Sequence, residues 1–232
     1  MSEAAEKVES LRHIPIFPLP LVLLPGELLP LHIFEPRYRQ MLADVSAERN
    51  VFGVSLFEQG ESLVDRPDVG SVGCVAEVRE VQPLPDERSN IRTLGLIRYR
   101  ILEFIDLDKP YLTAAVEFFE DVAEDEETLE STADEIFGLF ERVARAAFDL
   151  SGSRGPFPEL QRSDPERLSF VVAAAFNFEN GPKYDLLELE STIERFGKLR
   201  TILESAVDRM EKSAAVQKTA RHNGHSNSKI DL

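Results

Sequence analysis

The chain has 232 residues, 43% of them hydrophobic, and sets 42 Asp and Glu against 26 Lys and Arg, a formal net charge of −16. A chain of this size buries a real core, roughly 70–75% of its unfolded surface. Its acidity repels phosphate backbones and argues against nucleic acid as a partner. A single cysteine precludes an internal disulfide and fits a reducing compartment. The N-terminal MSEAAEKVESLRH lacks the basic start and apolar centre of a signal peptide, and no apolar run reaches bilayer-spanning length. The expectation is a soluble, cytoplasmic protein with no membrane partner.

Residues 1–13 read as a polar arm. The stretch 14–42, IPIFPLPLVLLPGELLPLHIFEPRYRQML, is the most apolar and Pro-rich part of the chain. Its prolines exclude a helix interior and confine any strand to an edge. Pro25-Gly26 signals a turn. Leu29, Leu31 and Ile33 then alternate with Pro30, His32 and Phe34, a strand with apolar side chains on both faces. Pro36 suits the first turn of a helix, and Tyr38, Met41, Leu42 and Val45 follow at helical spacing.

Short strands follow: Val51–Phe57, Val72–Val78, Ile91–Leu96, Tyr99–Ile105 and Tyr111–Phe119, with loops at Glu58–Pro67 and Pro83–Asn90. This spacing points to an antiparallel barrel or sandwich. Gly95 inside a strand pattern marks a bulge or a close backbone approach. The acidic run 120–131 reads as a linker. After it the period turns helical. Ile136, Phe137, Phe140, Val143, Ala144, Ala147 and Phe148 share a face, and Ser151–Pro158 breaks the helix. Ser163 and Glu166 stand at capping-box spacing; Leu168, Val171, Val172, Ala175 and Phe176 follow. Asn180-Gly181-Pro182 reads as a stop and 184–190 as a short helical piece. A long helix should run from Thr192 to about Glu211 on Phe196, Leu199, Leu203, Ala206 and Met210. The polar end reads as disordered.

Three groups of residues carry a family resemblance. They are Leu24–Gly26 with Ile33-Phe34-Glu35-Pro36-Arg37-Tyr38; Gly70–Val78 with Leu84-Pro85-Asp86 and Gly95–Ile101; and Asp164-Pro165, Asp185–Glu188 and Ile193–Phe196. From about residue 14 to 210 the sequence resembles the substrate-binding N-terminal domain of Lon proteases, and more closely its stand-alone bacterial relatives. The resemblance implies an α+β fold, a PUA-like pseudo β-barrel of about six antiparallel strands with a short helix, followed by a helical bundle ending in a long helix. The expected division is arm 1–13, barrel 14–120, linker 121–131, helical part 132–212 and disordered tail 213–232.

Catalytic signals are thin. No GxxxxGK[ST] phosphate loop is present, and the Lon ATPase and Ser–Lys peptidase residues find no counterpart, so only the substrate-binding part is resembled. Two of four histidines, His222 and His225, lie in the tail, too few for a strong metal site. Cys74 reads as a small core hydrophobe and His32 as a hydrogen-bonded structural histidine. No catalytic residue, cofactor or metal is expected.

Glu35, Arg37, Tyr38 and Arg39 read either as a cap and salt bridge fixing the strand-to-helix corner or as a ligand-facing rim. Arg98 and Arg100 share a strand face and either pair with acids or form a basic patch. Phe17, Phe34 and Phe57 are core by base rate, or line an apolar groove. Phe34, Arg37, Tyr38, Phe57, Arg98 and Arg100 are therefore the candidate rim. The leading expectation is a non-enzymatic module that binds unfolded or extended polypeptide, or docks onto a protease or chaperone. Binding would use apolar contacts in a groove between barrel and bundle, with strand addition at the Pro-blunted edge as a further mode. The stripe of the last helix also allows a homodimer. A small-molecule-binding or hydrolytic enzyme and a PUA-like RNA binder stay open as alternatives, the second on fold analogy alone.

Overall fold

The computed structural model describes residues 2–58, 66–151 and 156–223. Parts of the two expected loops, 59–65 and 152–155, and the end of the expected tail, 224–232, lie outside the described residues. The chain forms two compact units, Met1–Val122 with Ala173–Glu190, and Ala123–Val172 with Ser191–Leu232.

Among the described residues the first unit holds six strands: β1 (His13–Leu19), β2 (Leu28–Ile33), β3 (Val51–Leu56), β4 (Val72–Pro83), β5 (Ser89–Phe104) and β6 (Leu112–Phe119). It also holds α1 (Glu3–Val8) and α2 (Pro36–Ser46). The sheet order is β2-β5-β4-β3-β1-β6, and β5 pairs with β6 as well, which closes β1, β3, β4, β5 and β6 into a ring. The pairings are antiparallel except one: β1 and β3 run parallel, Ile16 opposite Gly53. Parallel neighbours need a long crossover, here supplied by β2 and α2. The expectation of a purely antiparallel sheet is corrected at this pair.

The two strands expected at Ile91–Leu96 and Tyr99–Ile105 are one 16-residue strand. Its first half pairs with β2 and its second with β6. Its register against β4 shifts between Cys74 and Ala76, the latter opposite Gly95. A Cβ on Gly95 would stand 2.1 Å from the Leu24 carbonyl oxygen, so only glycine admits the β1–β2 turn at this distance. That turn takes Gly26 to φ +79° and closes with Glu27 N–H donating to Leu24 O at 3.1 Å. Gly26 N–H donates to Gly95 O at 2.8 Å, and Gly95 N–H to Glu27 O at 2.9 Å.

The core of this unit gathers Val8, Ile14, Ile16, Val51, Val75, Ile97, Tyr99, Ile101, Ala114 and Val116. The Tyr99 hydroxyl meets Ser55 Oγ at 2.7 Å, and its ring lies where side chains on Gly53 and Gly73 would stand. Burial pushes both the Tyr99 hydroxyl and the Cys74 thiol well above their ordinary pKa values. Cys74 is fully buried, which leaves it inert. Part of the arm expected at 1–13 is instead α1, capped by Ser2, whose side chain accepts from Ala5 N–H. Val8 anchors it in the core.

Residues 173–190, expected within the helical part, cluster with the barrel. They include α5 (Asn180–Glu188). Asn180-Gly181-Pro182 opens this helix where a stop was expected, because a proline in the first turn needs no N–H partner. Asn180 Nδ2 donates to Pro20 O at 3.1 Å and to Glu58 at 2.7 Å. Lys183 pairs with Glu27 at 2.7 Å, and Tyr184 Oη accepts from Val72 N–H at 2.9 Å.

The second unit holds α3 (Glu126–Leu150), most of α4 (Pro165–Ala174) and α6 (Thr192–Asn223). Asp125 caps α3 by accepting from Thr128 N–H, so the latter part of the acidic linker is already helical. Asp164, not Ser163, caps α4, accepting from Arg167 N–H at 3.0 Å. Val171 is exposed while Ser169 and Phe170 are buried, which rotates the inward face of α4 from the expected one. On α6, Phe196, Leu199, Leu203 and Ala206 are buried as their spacing predicts. The helix runs on to Asn223, beyond the expected end near Glu211, because nothing in 212–222 is a helix breaker. Among the described residues, no helix is long and apolar enough to cross a membrane.

Candidate functional site

The six expected rim residues fall into three places. Phe34, Arg37 and Tyr38 stand together at the β2–α2 corner. Phe34 is 57% exposed and stacks on His32, ring centroids 5.8 Å apart. Arg37 Nε donates to Glu35 Oε2 at 2.9 Å, and its guanidinium carbon lies 4.6 Å from the Tyr38 ring centroid. Tyr38 is not on a rim: it is buried, with its ring 4.0 Å from that of Phe17. Its position in the first turn of α2 turns it inward with Met41, Leu42 and Val45. Phe57 is half-buried just past β3, where its N–H donates to Leu19 O at 2.9 Å.

Arg98 and Arg100 form the third place. Arg98 is only 1% exposed. It donates to the carbonyls of Leu187 and Leu189 and to the Asp121 carboxylate, with Phe119 under its guanidinium at 4.6 Å. Arg100 bonds Glu190 at 2.9 Å. Both arginines thus bind the returning segment around α5 to the barrel, and Arg98 is corrected from rim to core. A buried arginine is tolerated here because carbonyls and a carboxylate occupy its planar fork of donors.

β2 leads into the corner that holds Phe34 and Arg37. Among the described residues it is an end strand whose only ladder partner is β5. Leu29 and Leu31 are half-buried on one face, and Ile33 on that face is fully buried. The alternate residues point outward: Leu28 is 58% exposed, and Pro30 and His32 are exposed. His32 Nδ1 meets Asn90 Oδ1 on β5 at 2.7 Å, which anchors the imidazole that stacks with Phe34. Arg92 and Glu80 flank this face at 3.5 Å from each other. The result is a strip with a large apolar side chain at each end, proline and an anchored imidazole between, and a charged pair beside it. Leu28 was not singled out by sequence, although the alternation of 28, 30, 32 and 34 against 29, 31 and 33 already places it on Phe34's face.

The corner is braced on its other side. Arg39 donates to Asp86 O at 3.0 Å and Glu87 at 2.8 Å, holding the β4–β5 hairpin tip, where Asp86 and Glu87 both have positive φ. Asp44 accepts from Lys109 (2.8 Å), Tyr111 (2.6 Å) and Gln40 (2.8 Å). These donors hold its carboxyl down to about 2. Among the described residues, no group of three or more His, Cys, Asp and Glu is placed to hold a metal.

Residues 13–205 match the family model of the ATP-dependent protease La (LON) substrate-binding domain. The chain belongs to this family. Among curated relatives, Lon protease of Escherichia coli K12 is 27% identical over 219 residues, covering 90% of this chain and 26% of that protein. Lon protease of Anaeromyxobacter dehalogenans is 28% identical over 201 residues, 82% of this chain and 22% of its own. The chain thus spans about a quarter of the length of these Lon proteases. Among solved structures, a Lon N-terminal domain protein from Xanthomonas campestris superposes with a TM-score of 0.58 at 21% identity, covering 82% of this chain and 97% of that one. The N-terminal domain of Mycobacterium avium complex Lon protease gives the same TM-score at 19% identity, covering 84% and 98%. These confirm the α+β fold expected from the resemblance, including the helical C-terminal part.

Proposed function

We propose that this member of the LON substrate-binding family binds unfolded or extended polypeptide segments on the outward face of β2, with Leu28 and Phe34 as its apolar anchors. The observation that carries this reading is that two large apolar side chains, each more than half exposed, sit at the two ends of one solvent-facing edge strand. Leaving such side chains in water wastes burial worth roughly 1.5–3 kcal/mol each, which a guest side chain recovers. Arg37, exposed beside Phe34, is the charged rim residue. The chain contributes recognition and no bond-breaking chemistry. Docking onto a protease or chaperone component through the same strip is the second reading, favoured because the Lon relatives carry the matching region as about a quarter of a longer protease.

The test is binding of a permanently unfolded protein, such as reduced and carboxymethylated lactalbumin, to Leu28→Asp, Phe34→Asp and the double variant. Both side chains are largely exposed, so folding should change by no more than about 0.5 kcal/mol. Affinity should fall roughly ten-fold or more for each. An affinity that stays put in the double variant would sink the reading.

A further inference from the structure

We propose that Pro30 closes the β2 edge to backbone pairing, so that the surface takes a polypeptide by its side chains across the β2 face and refuses it as an added strand. This rests on reading β2 as a polypeptide-binding surface, and names the mode in which that surface recognises its guest.

Gly95 N–H donates to Glu27 O, and Leu28 stands opposite Leu94 and Leu29 opposite Thr93. In an antiparallel pair, hydrogen-bonded positions recur every second residue. Leu29, Leu31 and Ile33 therefore direct their backbone groups at β5, and Leu28, Pro30 and His32 direct theirs at the open edge. The Thr93 hydroxyl, donating to Leu29 O at 2.9 Å, agrees with this parity. Pro30 could not serve the other parity at all, since it has no N–H to give β5.

A guest strand laid along the edge would meet outward N–H groups at Leu28 and His32 and none between them. Its carbonyl opposite Pro30 would lose water and gain nothing, a cost of about ten-fold in affinity. The face imposes no such cost. Leu28, Pro30 and His32 share it by strand alternation, and Phe34 joins it through its stack on His32. A guest lying across this face buries side chains and keeps its own amides in water. The same gap prevents the β2 edges of two copies from pairing, the usual hazard of an apolar edge strand.

Two measurements on the full chain test this. The first compares binding, by fluorescence anisotropy, of a short peptide of alternating leucine and threonine with that of the same peptide N-methylated at alternate amides. The native chain should bind both within about two-fold. A loss of about ten-fold or more on methylation would mean that the guest already pairs as a strand, and would overturn the proposal. The second is sedimentation velocity of Pro30→Ala, with hydrogen exchange at Leu28 and His32. The variant should self-associate and protect both amides, where the native chain does neither. A variant that remains monomeric with unprotected amides overturns the proposal. If the native chain binds neither peptide, the polypeptide-binding reading fails, and the sedimentation result still decides the role of Pro30.

Discussion

Arg98 offers the sharpest test of how the first unit is held together. Its guanidinium lies in the interior and reaches the Leu187 and Leu189 carbonyls and the Asp121 carboxylate. The Asp121 side chain is itself only 5% exposed. Arg98→Met keeps much of the volume and removes these donations at once. A buried carboxylate deprived of its cation, in a pair broken on one side, costs roughly 3–5 kcal/mol. At a urea dependence of about 2 kcal/mol per molar, this is a midpoint shift of about 1.5–2.5 M. Adding Asp121→Leu should recover much of the loss, since an apolar pair of similar volume is often neutral or better than a buried ion pair. Hydrogen exchange should show residues 180–190 opening first, because Arg98 fastens that segment to β5. Two results would refute the reasoning: a loss under about 1 kcal/mol, the size of an exposed pair, or a double variant no more stable than Arg98→Met alone.

Gly95→Ala should destabilise by about 3 kcal/mol or more by denaturant melt, above the ordinary range for overpacking, because the added carbon meets the Leu24 backbone rather than a yielding side chain. Tyr99→Phe should cost about 0.5–1.5 kcal/mol in the same measurement, since it leaves the Ser55 hydroxyl without its 2.7 Å partner. For Asp44 the sign follows from a folded pKa of about 2 against 3.8 for the free group. Its contribution is fully present above about pH 4 and is lost as pH falls toward 2. Asp44→Asn should therefore flatten the acid limb of the stability curve in that window, and a carboxyl titration followed by NMR that midpoints near 4 in the native chain would contradict it.

The parts of this fold that sequence discloses are those decided by local sterics. Leu24-Pro25-Gly26 announces its turn because few residues tolerate positive φ at the third position. Gly95 stands out in an apolar strand, and the structure supplies both the register shift and the close backbone approach that its lack of a side chain allows. Phe196, Leu199, Leu203 and Ala206 face inward because helical period alone sorts them. The parts that stay hidden depend on residues far along the chain. Nothing near Arg98 says that its acceptors are Asp121 and two carbonyls some ninety positions on. Alternation with Tyr99 places it on a face without saying what that face meets. Asn180-Gly181-Pro182 has the composition of a stop and serves as a start, since Asn180 is held by Pro20 O and Glu58 from the opposite end of the sequence.

The binding surface shows the same division. Apolar residues on both faces of 28–34 are visible in the sequence, but which face meets water is decided by how the rest of the unit packs, which leaves Leu28 exposed and Ile33 buried. The rule that greasy side chains go inside and charged ones outside is broken in both directions in the first unit, at Arg98 and at Leu28 and Phe34, and the two kinds of violation have different meanings. Arg98 lies in the interior with its donors occupied, so it is structural: removing it should alter stability first. Leu28 and Phe34 lie outside with apolar surface unused, so they leave something for a partner to supply: removing them should alter binding and spare the fold. Measuring stability and unfolded-protein binding on the same set of variants separates the two. A Phe34→Asp protein that unfolds as easily as Arg98→Met, or an Arg98→Met protein whose only defect is in binding, would show that burial does not sort these residues into scaffold and surface as argued.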